Sequence, residues 1–359
     1  MSPVSRGRKP KKSKKRRRVQ ARAVRTVGLG TGKPAWFEPT ITAVLDGAVR
    51  LESVRGLRET EQLTCELVGA QLHRVIQEGH AGLHFSWWFD ELAGAARERD
   101  ARRLLLGLAS IGAPEVDYGL ADPPRVTATG EVFRMRDVYG SRFAVLARFS
   151  YEDDPCVYLF DIDASEMVRL VSAGVFDDVD QAAAAWLADV GAAAGDVTPR
   201  PVEDVGELTC LSQLDIGGLA VFGDESRVAM DNWFRAQRRQ DDLAEALAAR
   251  GMPLPLDESP YDCDSTLMVA EFTAWYENTR GVPPDPDAVA SLAEQWMEGA
   301  LPETWYSVSP RRVETQIALL SDWLPDEPVT IAAKSLLPDW VAWLGERARL
   351  PDHLRAAVR

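Results

Sequence analysis

The chain has 359 residues, of which 46% are hydrophobic and 27% charged. That length supports more than one domain and a core that needs no covalent staples, and the composition excludes a chain that is disordered throughout. The formal charge of −14 is unevenly spread: residues 1–25 hold 12 of the 41 Lys and Arg and no acid, which leaves 29 bases against 55 acids and −26 for the remainder.

Residues 1–34 are expected to be a disordered basic tail. Like charges repel, apolar content is low, and Gly28, Gly30, Gly32 and Pro34 favour no fixed structure. A secretory peptide needs an unbroken apolar stretch after its basic residues, and here Arg22 and Arg25 interrupt the segment. No apolar run reaches membrane-spanning length, so a cytoplasmic location is expected. Cys65, Cys156, Cys210 and Cys263 lie far apart, a spacing that suits reduced, buried thiols rather than a zinc module.

Residues 35–122 read as helical. Pro39 suits the first turn of a helix running to Leu51. Thr60 heads a second helix in which Leu63, Leu67, Leu72 and Val75 recur at helical spacing up to Gly79. Ser86 and Asp100 begin two more. Residues 123–206 change character. Segments 126–129, 131–135, 143–149 and 156–160 are short and rich in β-branched and aromatic residues. Turn clusters at 139–141 and 152–155 predict antiparallel hairpins. Asp180 heads an Ala-rich helix ending at Gly191, and 191–206 reads as a connection. Residues 207–359 are helical again, with helices predicted over 226–250, 265–278, 286–298, 310–323 and 328–347. The expected fold class is α+β: N-terminal helices, a small antiparallel β-sheet with one packed helix, and a C-terminal helical region.

Few motifs suggest chemistry. The segment Val157-Tyr-Leu-Phe-Asp-Ile-Asp-Ala-Ser165 resembles the first motif of haloacid-dehalogenase-type phosphotransferases. That resemblance implies Asp161 as nucleophile, Asp163 as acid and base, and a bound Mg²⁺. The rest of the chain departs from that family. No lysine lies between Lys33 and Lys334, Val228 stands where a further Asp is needed after Asp224, and hairpins replace the required parallel sheet. The segment therefore reads as a strand ending in a polar turn. A second Asp-x-Asp, at Asp262 and Asp264, reads as a helix cap at Asp264 or Ser265. Gly28-Leu-Gly-Thr-Gly-Lys33 is one residue too short for a phosphate loop and is followed by Pro34. His80 and His84 are four apart and, with His73, raise the question of a metal. Gly79 and Gly82 interrupt any common helix, so surface or capping roles are expected. No motif implies a cofactor, and no catalytic residues are assigned.

Of the 11 tryptophans, Trp340 and Trp343 share a helix face, and such Trp-rich faces are either core or a surface for another protein. Trp87 and Trp88 cannot both face one core. The Ser-Arg-Gly-Arg-Lys start, the segment Ser86-Trp-Trp-Phe-Asp-Glu-Leu92 and the ending Leu337-Pro-Asp-Trp-Val-Ala-Trp-Leu344 resemble uncharacterised proteins of high-GC actinobacteria. That resemblance implies a cytosolic protein and no particular activity.

The expected function is that of a non-catalytic interaction or regulatory protein. One alternative is contact with nucleic-acid phosphates through Arg8, Lys9, Lys11, Lys12, Lys14, Lys15, Arg16, Arg17 and Arg18. Another is an enzyme whose site gathers residues distant in sequence. No membrane partner is expected. Nucleic-acid binding is expected to reside in the basic tail, to ignore sequence and to fade with salt. The check compares the full chain with one starting at Pro34, at low and physiological salt; equal affinities remove the tail as the binding element.

Overall fold

The computed structural model describes residues 32–80, 84–114, 116–214, 225–255 and 263–358. Residues 1–31 of the expected tail, with its nine candidate phosphate-binding residues, lie outside the described residues, whereas Lys33, expected in the tail, is ion-paired to Glu38 and Glu91. Four helices come first: α1 (Phe37–Gly47), α2 (Leu57–Gln77), α3 (Phe85–Glu98) and α4 (Arg102–Ile111), with a 3₁₀ turn at Ala48–Ser53. Glycine sets how closely they pack. A Cβ on Gly107 of α4 would lie 2.0 Å from Thr64 Oγ1 of α2, so the two helices touch only because no side chain stands there.

The sheet follows, with β1 (Val126–Arg136), β2 (Arg142–Tyr151), β3 (Asp154–Asp163), β4 (Arg169–Phe176) and the short β5 (Arg200–Pro201). Its order is β4-β3-β2-β1-β5, and all pairings are antiparallel. The two segments expected at 126–129 and 131–135 are one strand, with a bulge between Ala128 and Val132 at which Gly130 takes a φ of 73°. The strand β4 escapes the sequence pattern, because Ser172 and Gly174 dilute its apolar alternation at the sheet edge.

Both faces of the sheet are covered, which explains the nearly unbroken apolar run of β2. Phe143, Val145, Ala147 and Phe149 face the helical layer, while Ala144 and Leu146 face α5 (Val179–Val190). Asp178, not Asp180, caps α5: its carboxylate accepts from Gln181 N. The helix expected from Ser226 is two helices, α7 (Arg227–Asp231) and α8 (Trp233–Ala249), which follow the short α6 (Thr209–Ser212). Ser226 caps α7 as its residue type suggests, and the chain leaves helical geometry at Asn232. A Cβ on Gly69 of α2 would lie 2.3 Å from Asp231 Cα, so α7 rests directly on α2. The helices α1–α4, α7 and α8 thus share one core with the inner sheet face.

A second core joins α9 (Thr266–Arg280), α10 (Pro286–Met297), α11 (Pro310–Ser321), α12 (Pro328–Arg347) and α13 (Asp352–Ala357). Asp264 accepts from the Thr266 amide just ahead of α9, while Ser265 holds the cap position without a side-chain cap bond. Trp340 and Trp343 are buried here against Phe272, so that face is filled by the chain itself. Arg312 is buried without a carboxylate and donates instead to Trp296 O at 2.5 Å, to Ser307 Oγ at 2.7 Å and to Thr304 O, tying the α10–α11 connection. The bundle meets the sheet through Arg134–Glu303 at 2.5 Å and Arg311–Asp163 at 3.4 Å. No described helix is long and apolar enough to cross a membrane.

One buried carboxylate gives the fold a pH dependence. Asp137 accepts from Ser141 N at 2.8 Å and Arg142 N at 2.9 Å in the β1–β2 connection. Burial, more than these bonds offset, pushes its carboxyl up to about 6, with Asp163 adding to the rise. A folded pKa above the unfolded value means that this group's stabilisation is complete below the ordinary carboxylate range and is lost as pH rises through 6. Asp137→Asn keeps the acceptor oxygen and removes the charge. Its stability relative to the parent chain is therefore expected to climb by up to about 3 kcal/mol between pH 4 and pH 8. Thermal unfolding of both proteins across that range checks this; a constant difference contradicts it.

Candidate functional site

The most concentrated buried charge lies where α2 and α8 meet the sheet. Arg235 and Arg239 are four apart on α8 and so share a face, and both are about 1% exposed. Glu61 on α2 is fully buried between them. Arg239 donates to Glu61 Oε2 at 2.5 Å, to Asp242 Oδ2 at 3.0 Å and to Ser110 O at 3.2 Å. The Tyr151 hydroxyl donates to the other Glu61 oxygen. Arg235 lies 3.7 Å from Glu61 Oε1 and bonds mainly to neutral groups: Asn232 Oδ1 at 2.9 and 2.5 Å, and Gln62 Oε1 at 2.9 Å.

These surroundings hold the neighbouring groups in unreactive forms. Burial, together with the Glu61 charge, raises the Tyr151 phenol well above its ordinary value. Burial pushes the Cys65 thiol up to about 12 and Cys156 to about 11; Cys210, raised to about 12, lies away from the network beside Arg134. Protonated thiols are poor nucleophiles at neutral pH. The network is suited to hold a shape and an electrostatic field, not to form a covalent intermediate.

Above it opens a groove of about 1210 Å³. Its floor includes Asn232 and Arg235, and its walls come from the start of α2, the β2–β3 turn, β4 and α7. The inner side of β4 borders the groove at Ala173 and Val175, and the apolar wall is completed by Leu57, Leu63 and Val228. Its arginines are mostly neutralised by near neighbours: Arg58 meets Asp177 at 2.7 Å and Arg227 meets Asp231 at 2.6 Å. Glu66 accepts from Gln62 at 3.1 Å, which links the rim to Arg235. On the other side of the network, Arg239 and Asp242 line a smaller opening of about 200 Å³.

The residues singled out in the sequence lie elsewhere. Asp161 is not at a solvent-facing turn: β3 continues to Asp163, and Asp161 is buried under α5. Both of its oxygens accept from Arg142, at 2.9 and 2.5 Å, and Oδ1 also from Trp186 Nε1 at 3.0 Å. The antiparallel neighbours on each side agree with the departure from the phosphotransferase pattern. Asp163 accepts from Ser165 and faces Arg169 and Arg311, as a latch between sheet and bundle. Among the described residues no group of three His, Cys, Asp or Glu is placed to hold a metal. His80 and His84 lie instead beside the rings of Trp36 and Trp87. Trp88 is fully buried and Trp87 is 39% exposed, the split expected of that pair.

Nothing in the sequence marks Glu61 or the two arginines as buried. Their only signal is spacing: Glu61 sits beside buried Thr60 and Thr64, and Arg235 and Arg239 fall on the same stripe of α8 as Ala236 and Leu243. Removing one partner of such a network leaves charge uncompensated in a low-dielectric site. Glu61→Ala is expected to cost about 3–5 kcal/mol of stability. Glu61→Leu combined with Arg239→Met is expected to recover part of that loss, as judged by urea unfolding. A Glu61→Ala penalty at the level of a surface ion pair contradicts the network's role. No family model, curated protein or solved structure matches the chain, so the chemistry of the groove alone carries the functional reading.

Proposed function

We propose that the protein is a non-catalytic interaction protein of the cytoplasm, and that its groove receives an extended, positively charged segment of a partner protein. The observation that carries this reading is the groove itself: it is wide, half apolar, seated on a rigid charged floor, and left with more unneutralised acid than base at its mouth. With Arg58 and Arg227 paired, the remaining charge of the lining is Glu59, Glu66 and Glu152 against Arg55 at the mouth and Arg235, buried in the floor beside Glu61. Lys and Arg side chains fit such a surface because their methylene stems lie on apolar walls while their heads reach carboxylates. The protonated thiols and phenol beneath favour recognition over chemistry. None of the four cysteines forms a disulfide, which suits a reducing compartment.

The test is binding of a short labelled Lys/Arg peptide to the full-length protein, read by fluorescence anisotropy. Affinity is expected to fall with salt, and to fall about tenfold when Val228→Arg places a cation on the exposed wall, the loss of about 1.4 kcal/mol. Glu314→Arg, on the distant α11, is the control for general attraction to an acidic surface and is expected to change little. Equal effects of the two substitutions, or equal binding of a Glu-rich peptide, contradict the proposal.

A further inference from the structure

We infer that the groove is occupied in cis by the protein's own basic N-terminal segment, residues 1–31, which a partner must displace; the inference rests on the groove being a docking site.

Charge complementarity comes first. The segment holds 12 Lys and Arg and no acid, while everything after residue 25 carries −26. Within that acidic body, carboxylates gather at the groove's outer end. Glu152 and Asp153 form the β2–β3 turn, and Asp177 and Asp178 follow β4 at the same end of the sheet, where Val157 pairs with Phe176. Arg58 bridges the two groups, reaching Asp177 at 2.7 Å and Asp154 at 4.0 Å. Among the described residues, Glu59, Glu152 and Asp153 have no ion-pair partner. These unneutralised acids stand beside the apolar wall of Leu57, Leu63 and Val228, so one strip offers both stems and heads of a basic segment their contacts.

Chain length comes second. Lys33 is fixed on the body by bonds of 2.9 Å to Glu38 and Glu91, which sets where the segment departs. Thirty-one residues reach up to about 100 Å when extended. A folded chain of this length has a radius of gyration of about 20 Å, so the groove is within reach from any point on the surface. Tethering then supplies an effective concentration in the millimolar range, which favours the chain's own segment over a free one of the same chemistry.

The lysine distribution makes a decisive experiment possible on the full chain. Five of the seven lysines, Lys9, Lys11, Lys12, Lys14 and Lys15, belong to the segment, and only Lys33 and Lys334 lie outside it. Zero-length carbodiimide coupling joins a lysine amine to a carboxylate it already touches. Cross-links from the five lysines are expected to concentrate on Glu59, Glu66, Glu152 and Asp153, independently of protein concentration. Val228→Arg removes no carboxylate, and it is expected to cut their yield about tenfold through like-charge repulsion. Cross-links scattered over bundle acids such as Glu277 and Glu314, or found between differently labelled copies of the chain, overturn the inference. Peptide binding separates it from the function on which it rests. Replacing Lys11, Lys12, Lys14, Lys15 and Arg16–Arg18 by Gln in the full chain is expected to strengthen binding of the basic peptide about tenfold or more. Equal binding by both proteins overturns cis occupancy and leaves the groove's role standing, whereas absence of binding in both overturns the groove's role.

Discussion

The arrangement of the larger core depends on how two guanidinium groups are accommodated away from water. Arg235 and Arg239 enter the core from α8, and their compensation comes from three different elements: Glu61 on α2, Tyr151 at the end of β2, and Asn232 at the break between α7 and α8. Desolvating these charges costs several kcal/mol each, and the attraction offsets this only when all partners are in place. The helical layer is therefore held to the sheet in one register. A slip of α8 by one residue would turn both arginines away from Glu61 and leave its charge unpaired. The glycine at position 69 serves the same end, because it lets Asp231, and with it Asn232, approach α2 at backbone distance.

That constraint also explains the limits of reading this chain from its sequence. Helices and strands with strong period were legible. The boundaries expected for α10 and α12 agree with the structure to within a residue, and the β2–β3 hairpin follows from two apolar runs flanking Glu152 and Asp153. Single-sequence periodicity treats charge as solvent-facing, so Glu61, Arg235 and Arg239 read as the wet side of amphipathic helices. The network that positions the groove was invisible for that reason. The strand β4 was missed because an edge strand needs only one apolar face, and Ser172 and Gly174 sit on the other. Asn232 interrupts a segment whose propensities are otherwise helical. The break there is a tertiary demand, since its side chain must accept from Arg235.

Two halves of the molecule solve the same problem of buried cations differently. In the larger core Arg239 is met by carboxylates. In the C-terminal bundle Arg312 meets backbone carbonyls, a serine hydroxyl and the face of Trp296, whose ring centroid is 4.6 Å from the guanidinium. Burial pulls the Arg312 guanidinium below its ordinary value, and the more remote charges of Asp163 and Glu166 offset this only in part. A carbonyl-lined cation organises a loop, because each carbonyl must point inward. A carboxylate-paired cation fastens separate elements together. The tryptophans of the bundle follow the same division: Trp296 serves Arg312, while Trp340 and Trp343 fill the core around Phe272.

The groove is a consequence of this architecture, not an addition to it. The polar network occupies the junction of α2, α8 and the sheet, and polar side chains that must bond one another cannot also spread over the neighbouring strand. The inner side of β4 is therefore covered by α7 at one end and borders the groove at Ala173 and Val175. An opening made in this way inherits a fixed floor. Arg235 cannot rotate without breaking its bonds to Asn232 and Gln62. A ligand in the groove therefore finds its walls in place, and its affinity loses little to ordering the site. In the docking role proposed for the groove, the selecting charge comes from the rim, at Glu59, Glu66 and Glu152. Rigidity is set by the buried charges and, on the proposed reading, selectivity by the exposed ones, so a change at Glu61 acts on stability and a change at Glu152 on the proposed binding.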